Sequence, residues 1–427
     1  MPPAGPSSTR PESERTSTEK SDSVRGNLSR RAVLAAAGTA AVSSLAGCSF
    51  LGSGAEPEPL YDGDWHSYGN GPANQHSVAG GTPKPTTSDT LATSSWVYAS
   101  PVVHDDIVYF AEDQQVRALS LDSSEQWAHD LDREERVGVS GAVALDPNQG
   151  RLYVPTRIVP GKGRPDPAPA SVTVFSLDDG SVVDTWRVGD DRSYGVAVVD
   201  GDVYARSATA CVRLAPDGTE QWRASLEPLT YDEYNLDDDT ATQVVPTVTD
   251  DSVYVPDRDA LVKLDRETGE ERWRVTVDTP YATVASSDNG VVQTGWQETV
   301  AVDHAGEVRW RRNLQSQAAA AVADGDVYVV AGDLYELDAE TGETNWHVHL
   351  PSDGTAAPVV TDDTVLTVSG DVRAFPRDAN GDLGTDGARW QFSDVHASTY
   401  SSPVVAAGRV FVVGAYGLQT LWAEESS

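Results

Sequence analysis

Cysteine is nearly absent from this chain: Cys48 and Cys211 are the two in 427 residues. That excludes a disulfide-stapled scaffold, and with no adjacent cysteines there is no vicinal pair. Lysine is scarce too, at Lys20, Lys84, Lys162 and Lys263, and 31 basic residues face 66 acidic ones for a net charge of −35. A surface of that sign repels a phosphate backbone, so nucleic acid is excluded as a partner. Long apolar runs are missing. The longest, Ala32 to Gly47, has 16 residues, short of the ~20 a bilayer-spanning helix needs. No phosphate-cradling glycine loop and no Gly-x-Ser-x-Gly elbow occurs.

What is there is enough for a real core, with 39% hydrophobic residues. The acids recur throughout rather than clustering. We read them as a surface suited to concentrated salt, where a Debye length of roughly 3 Å at 1 M removes their mutual repulsion. Ser29-Arg30-Arg31-Ala32-Val33-Leu34 resembles a twin-arginine export motif, and Leu45-Ala46-Gly47-Cys48 resembles a lipoprotein cleavage box. The expectation is an exported chain in which residues 1–48 are a signal peptide with arginines Arg30 and Arg31, and Cys48 carries a lipid anchoring it to the outer face of the cell membrane. Cys211 is then the one thiol left, a small core residue with no disulfide partner.

Residues 49–92, rich in Gly, Pro, Ser and Thr, read as a flexible tether with a lead-in segment. From residue 93 to 427 the chain repeats. Paired apolar strands around an acidic or glycine turn occur eight times: Val102 to Tyr109, Val143 to Tyr153, Val198 to Tyr204, Val248 to Tyr254, Ala285 to Val292, Val322 to Tyr328, Val359 to Leu366 and Val404 to Phe411. A third alternating strand and a turn follow, as in Asp265-Arg266-Glu267-Thr268-Gly269, then a fourth strand centred on tryptophan: Trp127, Trp186, Trp222, Trp273, Trp310, Trp346 or Trp390. The eighth repeat lacks its fourth strand. Ser94 to Tyr98, with Trp96, has the same character and is expected to complete it. Four-stranded units at roughly 40-residue spacing predict an all-β fold, an eight-bladed β-propeller of four-stranded blades, its ring closed by an N-terminal strand. The tryptophans fill the widening gaps between blades.

The tryptophan strand, the Leu-Asp-x-x-Thr-Gly turn and the paired-valine hairpin resemble the repeat of pyrroloquinoline-quinone-type propellers over residues 93–427. Asp64-Trp65-His66-Ser67-Tyr68-Gly69-Asn70 is similar to the segment that leads into the ring in that superfamily. The resemblance implies one of several functions: quinoprotein dehydrogenase, BamB-like lipoprotein, or another propeller scaffold. The dehydrogenases resemble one another in a cysteine pair over the quinone and a calcium held by Glu and Asn. With no such pair here, no cofactor is expected and quinone is disfavoured.

Asp378-Ala379-Asn380-Gly381-Asp382-Leu383-Gly384-Thr385-Asp386 resembles a calcium loop, with Asp378, Asn380, Asp382 and Asp386 as candidate oxygen ligands, although Leu383 and Arg389 stand where glycine and glutamate are needed. His347 and His349, two apart on a strand, share a face and could supply half a metal site. Two long insertions, Arg157 to Ala170 and Glu227 to Thr242, are expected on one rim; the second holds Tyr231, Tyr234, Asp237, Asp238 and Asp239, a candidate surface for a protein or glycan. Trp296 and Trp422 fall outside the blade-closing set. The leading expectation is a non-catalytic, membrane-anchored scaffold for a protein partner, with a quinone- or metal-dependent oxidoreductase and glycan or solute binding as alternatives.

Overall fold

Asp-Gly and Asp-Asp pairs accept the positive φ that tight hairpins between twisted strands require, and Asp105, Asp106, Asp200, Gly201, Asp324 and Gly325 all adopt it. A computed structural model of the chain describes residues 61–93, 99–158, 168–229, 243–351, 356–393, 395, 401–414 and 417–424. All eight expected hairpins form within them, and the strands assemble into eight separate sheets. The fold is an eight-bladed, all-β propeller with four-stranded blades. Among the described residues there is no helix, and so none long and apolar enough to cross a membrane.

Blade 4 shows the plan. Thr247–Val248 lies innermost, followed outward by Ser252–Asp257, Ala260–Asp265 and Glu271–Thr276, each antiparallel to the last. Its inner strands are almost wholly buried while the fourth, Glu271–Thr276, alternates, with Trp273 and Val275 half-buried and the residues around them exposed. That is the pattern of a strand with one wet face. Blade 2 (Val137–Asp190) has its inner strand split in two, and blade 6 (Ala321–His349) gains a fifth strand.

Blade 8 corrects one expectation. Its fourth strand does come from the N-terminal side, but it is Thr87–Ala92, pairing antiparallel with Gly417–Trp422 from Thr87 opposite Trp422 onward. Ser94 to Tyr98 lies outside the described residues. The reason is the path of the chain: Thr82 is held against blade 7, accepting a hydrogen bond from Trp390 Nε1 at 2.8 Å, so the next few residues reach the open edge of blade 8 first. The expected tether therefore divides, with residues 61–92 forming part of the ring and 49–60 lying outside the described residues.

All seven predicted tryptophans sit on fourth strands. Five of them, Trp127, Trp186, Trp222, Trp273 and Trp310, meet the third-to-fourth turn of the next blade, where a glycine lies flat against the ring. Gly269 is representative. It has φ +72°, and a Cβ there would stand 2.6 Å from the Trp222 ring, so both its conformation and its lack of a side chain are required. The Leu-Asp-x-x-Thr-Gly turn is thus one half of a seam between blades. Asp265 Oδ1 accepts bonds from the Glu267 and Thr268 amides and the Thr268 hydroxyl, fixing the turn from within. Trp222 Nε1 then donates to Arg266 O at 2.9 Å.

Candidate functional site

The lead-in segment makes a circuit of the ring's axis. Alternating inner-strand amides and carbonyls are left without partners where each blade ends at the centre, and residues 61–80 supply them in blade order. The amides of Ala407 and Gly408 in blade 8 donate to Gly63 and Tyr61; Trp65 exchanges two bonds with Val103 in blade 1; Leu145 in blade 2 donates to His66. Val248, Ser286, Val322 and Val360, in blades 4 to 7, donate to Pro72, Ala73, Gln75 and His76, at 2.8–2.9 Å. Seven of eight blades are thus joined to one segment, six through the inner strand and blade 8 through the turn that follows it. At blade 3 no such bond occurs among the described residues, and a cleft of about 500 Å³ opens between Gly71, Pro72, Val198 and Gly201.

This circuit turns large side chains toward the axis. Tyr68 lies in a buried cluster with Ala142, Ala197, Val245, Ala282, Ala319 and Ala357, one from each of blades 2 to 7. His76 meets its ring edge-on at 4.6 Å between centroids. Burial pushes the Tyr68 hydroxyl up to about 12 and the His76 imidazole down to about 3. Both His76 nitrogens lack a hydrogen-bond partner among the described residues, so His76 is neutral and acts as an apolar filler. Asn74 Nδ2 donates to Thr247 Oγ1 at 2.9 Å. A further contact spans the axis: the Ser100 amide in the approach to blade 1 donates to Gln243 Oε1, ahead of blade 4, at 3.3 Å. Ser100 Oγ also donates to Ser402 O in the approach to blade 8.

The predicted site residues fall as follows. Tyr231, Tyr234 and Asp237 to Asp239, and the residues Cys48, Arg30 and Arg31, lie outside the described residues. The candidate calcium loop is described, and two of its carboxylates have other partners. Asp378 lies 3.5 Å from Arg389, and Asp382 Oδ1 accepts the Gly384 amide at 2.7 Å. Its centre forms the fifth strand of blade 6, Gly381–Asp382, parallel to Thr344–His349. His347 and His349 share a face as expected, but each has its own partner. His347 stacks on Tyr335 and His349 bonds Asp333 at 2.7 Å. Cys211 is buried in the core, its thiol pushed up to about 12 by burial. Trp296 packs beside Tyr194, Leu229, Val244 and Tyr281, and Trp422 lies under the Arg409 guanidinium at 4.4 Å.

One group was missed by sequence reasoning. Asp64, His66 and His104 bring three ligand atoms within 4.8 Å of one another, the one such trio of His, Cys, Asp or Glu among the described residues. Outside the axis a second cavity, of about 290 Å³, runs from the end of blade 1's fourth strand across the strands of blade 2, lined by Leu131, Val137, Ile158, Pro169 and Val182. Val182 and Val183 are 44% and 48% exposed, two of the three large apolar side chains left in water among the described residues.

With this geometry established, the comparisons with known proteins agree. The sequence profile of the family described as outer membrane protein assembly factor BamB matches residues 209–303 and 296–420. The chain is a PQQ-like repeat β-propeller. BamB from Moraxella catarrhalis superposes with a TM-score of 0.60 at 15% identity, covering 80% of this propeller chain and 99% of that one. The quinohemoprotein alcohol dehydrogenase from Comamonas testosteroni gives 0.63 at 14% identity, covering 85% and 81%. The computationally designed Ika8 protein gives 0.56 at 13%, covering 78% and 98%. At such identities the likeness of this PQQ-like propeller to those structures is one of fold alone. No curated protein sequence matches the chain.

Proposed function

We propose that this propeller is an extracytoplasmic scaffold, lipid-anchored through Cys48, that holds a protein partner on its outer surface and rim. The observation that carries the reading is the filled axis. Tyr68 and His76 occupy the centre within the lead-in circuit, and the Ser100–Gln243 contact crosses it again. A planar quinone held on the axis would have to displace these groups, and no carboxylate-rich cage surrounds them among the described residues. Recognition then falls to the outside, where the groove lined by Leu131, Ile158, Pro169 and Val182 offers desolvatable apolar area, with Val183 exposed next in sequence. The family's BamB-like members point the same way.

The fold likeness to a quinohemoprotein dehydrogenase supports an oxidoreductase as the second reading. One experiment addresses both. The full chain, in concentrated salt matched to its acidic surface, is crosslinked on membranes and captured, alongside Val182→Asp/Val183→Asp. A discrete partner recovered with wild type and reduced in the double variant supports the scaffold. Stoichiometric quinone uptake with dye-linked alcohol or sugar oxidation would overturn it.

A further inference from the structure

Backbone register, rather than sequence proximity, assembles the Asp64, His66 and His104 trio. Trp65 bridges Val103 in antiparallel sense, so residue 64 lies opposite residue 104. Period-two alternation then places Asp64, His66 and His104 on one side, while Trp65 turns to the other and is buried. The three facing atoms are mutually close: His104 Nδ1 to Asp64 Oδ2 at 2.7 Å, and His66 Nε2 to each of them at 3.2 Å. We propose that these three side chains form a site for a divalent transition ion of the zinc class, which clips the lead-in segment to blade 1.

The donor set and spacing carry the proposal. Two imidazole nitrogens and a carboxylate oxygen are a ligand set of tetrahedral zinc, whose ligands at about 2.0–2.1 Å stand roughly 3.3 Å apart. The trio reaches that spacing if the atoms separate by a few tenths of an ångström. Two imidazoles aimed at one oxygen and at each other are poorly served by protons alone, because only one ring can use its lone pair toward the other's N–H. A cation accepts all three lone pairs at once.

The supporting contacts are in place as well. The Asp105 amide donates to Asp64 Oδ1 at 3.1 Å, holding the other oxygen toward the site. His104 Nε2 faces Asp105 Oδ2 at 3.5 Å, the carboxylate–histidine pairing that orients a ligating ring. The side chains of His66, Asp64 and His104 are 39%, 35% and 23% exposed, which leaves an approach for the ion and a fourth position for water. Blade 3, where the circuit has no backbone bond, begins beyond the adjoining cleft, which His66 also lines. An ion at this point fixes the segment just before that gap.

The test is titration of the metal-stripped full chain with ZnCl2 by calorimetry and with CoCl2 by visible absorbance. One ion per chain, with the intense bands of four-coordinate cobalt, is expected. His104→Ala should abolish both, and Asp105→Asn should weaken affinity by about 10- to 100-fold. His347→Ala/His349→Ala should keep the full stoichiometry. Zinc should raise the Tm of wild type and leave that of His104→Ala unchanged. Equal melting of the two in EDTA establishes that the variant folds; should it melt lower, His66→Asn serves in its place. Absence of saturable binding in wild type, or a site that survives both His104→Ala and His66→Asn, overturns the proposal.

Discussion

Two seams of the ring use the same opening contacts and then part. Between blades 3 and 4, Arg266 donates to Tyr204 Oη and pairs with Asp200, and Gly269 lies on the Trp222 ring. Between blades 6 and 7, Arg377 repeats this, donating to Tyr328 Oη and pairing with Asp324. There the glycine turn is replaced by a longer loop that folds out as Gly381–Asp382 and covers the edge beside Trp346. Trp346 is fully buried, and its Nε1 donates to the Glu336 carboxylate at 2.9 Å instead of to a turn carbonyl. The tryptophan is therefore the constant of the design, while what covers it can be a tight turn or an added strand. An insertion that looks like a metal loop in sequence also supplies a strand to the edge of its neighbouring blade.

The largest effect expected is from removing the rings. Trp222→Ala should cost about 3–5 kcal/mol, and Trp346→Ala more, because it also strips the donor from Oε2 of the 3%-exposed Glu336, leaving only the Asn345 amide on the other oxygen, a loss worth about 1–3 kcal/mol. Denaturant midpoints check this, and equal losses at the two sites would erase the distinction between the seams. A double variant Trp346→Phe/Glu336→Leu should recover part of what Trp346→Phe loses.

The axis provides a reference independent of either seam. His76 is neutral when folded, held near 3, while the unfolded imidazole takes up a proton near its ordinary 6.5. The unfolded state thus binds more protons between those values. Stability from this group is complete above about 6.5 and falls as pH drops toward 3, at up to about 1.4 kcal/mol per pH unit. His76→Leu should flatten that limb of a pH–stability curve and leave the Trp222 and Trp346 difference unchanged. An unaltered acid limb would show that His76 is not the group responsible.

Glycine substitutions should give a smaller contrast. Gly269→Ala meets both ring and backbone strain and should cost about 2–4 kcal/mol, the sum of overpacking and left-handed strain. Gly381→Ala, with φ +75° and nothing within 4 Å of its Cβ, should cost about 1 kcal/mol. Smallest and equal should be Asp200→Asn and Asp324→Asn, at 0–1 kcal/mol, since both carboxylates are largely exposed.

Much of the ring was legible because each blade repeats a local signal. Apolar pairs around Asp-Gly turns and a tryptophan every repeat are short-range patterns, and they specify strands without reference to the rest of the chain. The N-terminal contribution to blade 8 was legible as a missing strand, but not its identity. Thr87–Ala92 has no tryptophan, and its choice depends on where Thr82 is held. The lead-in circuit was invisible for a different reason. Its bonds run from backbone to backbone, through Pro72, Ala73 and Gln75, and carry no side-chain pattern. Asp64 and His66 stood in a segment noted in the sequence, yet nothing there pairs them with His104, which lies 38 residues beyond His66.

The sequence by itself determined the blade count, the hairpins and the tryptophan strands, because alternation and turn chemistry act over a few residues. Only the tertiary structure decided which segment fills the axis, which strand completes the ring, and which three side chains converge beside blade 1. Those outcomes depend on backbone groups left open at the ends of blades, and such vacancies exist only once the blades have assembled.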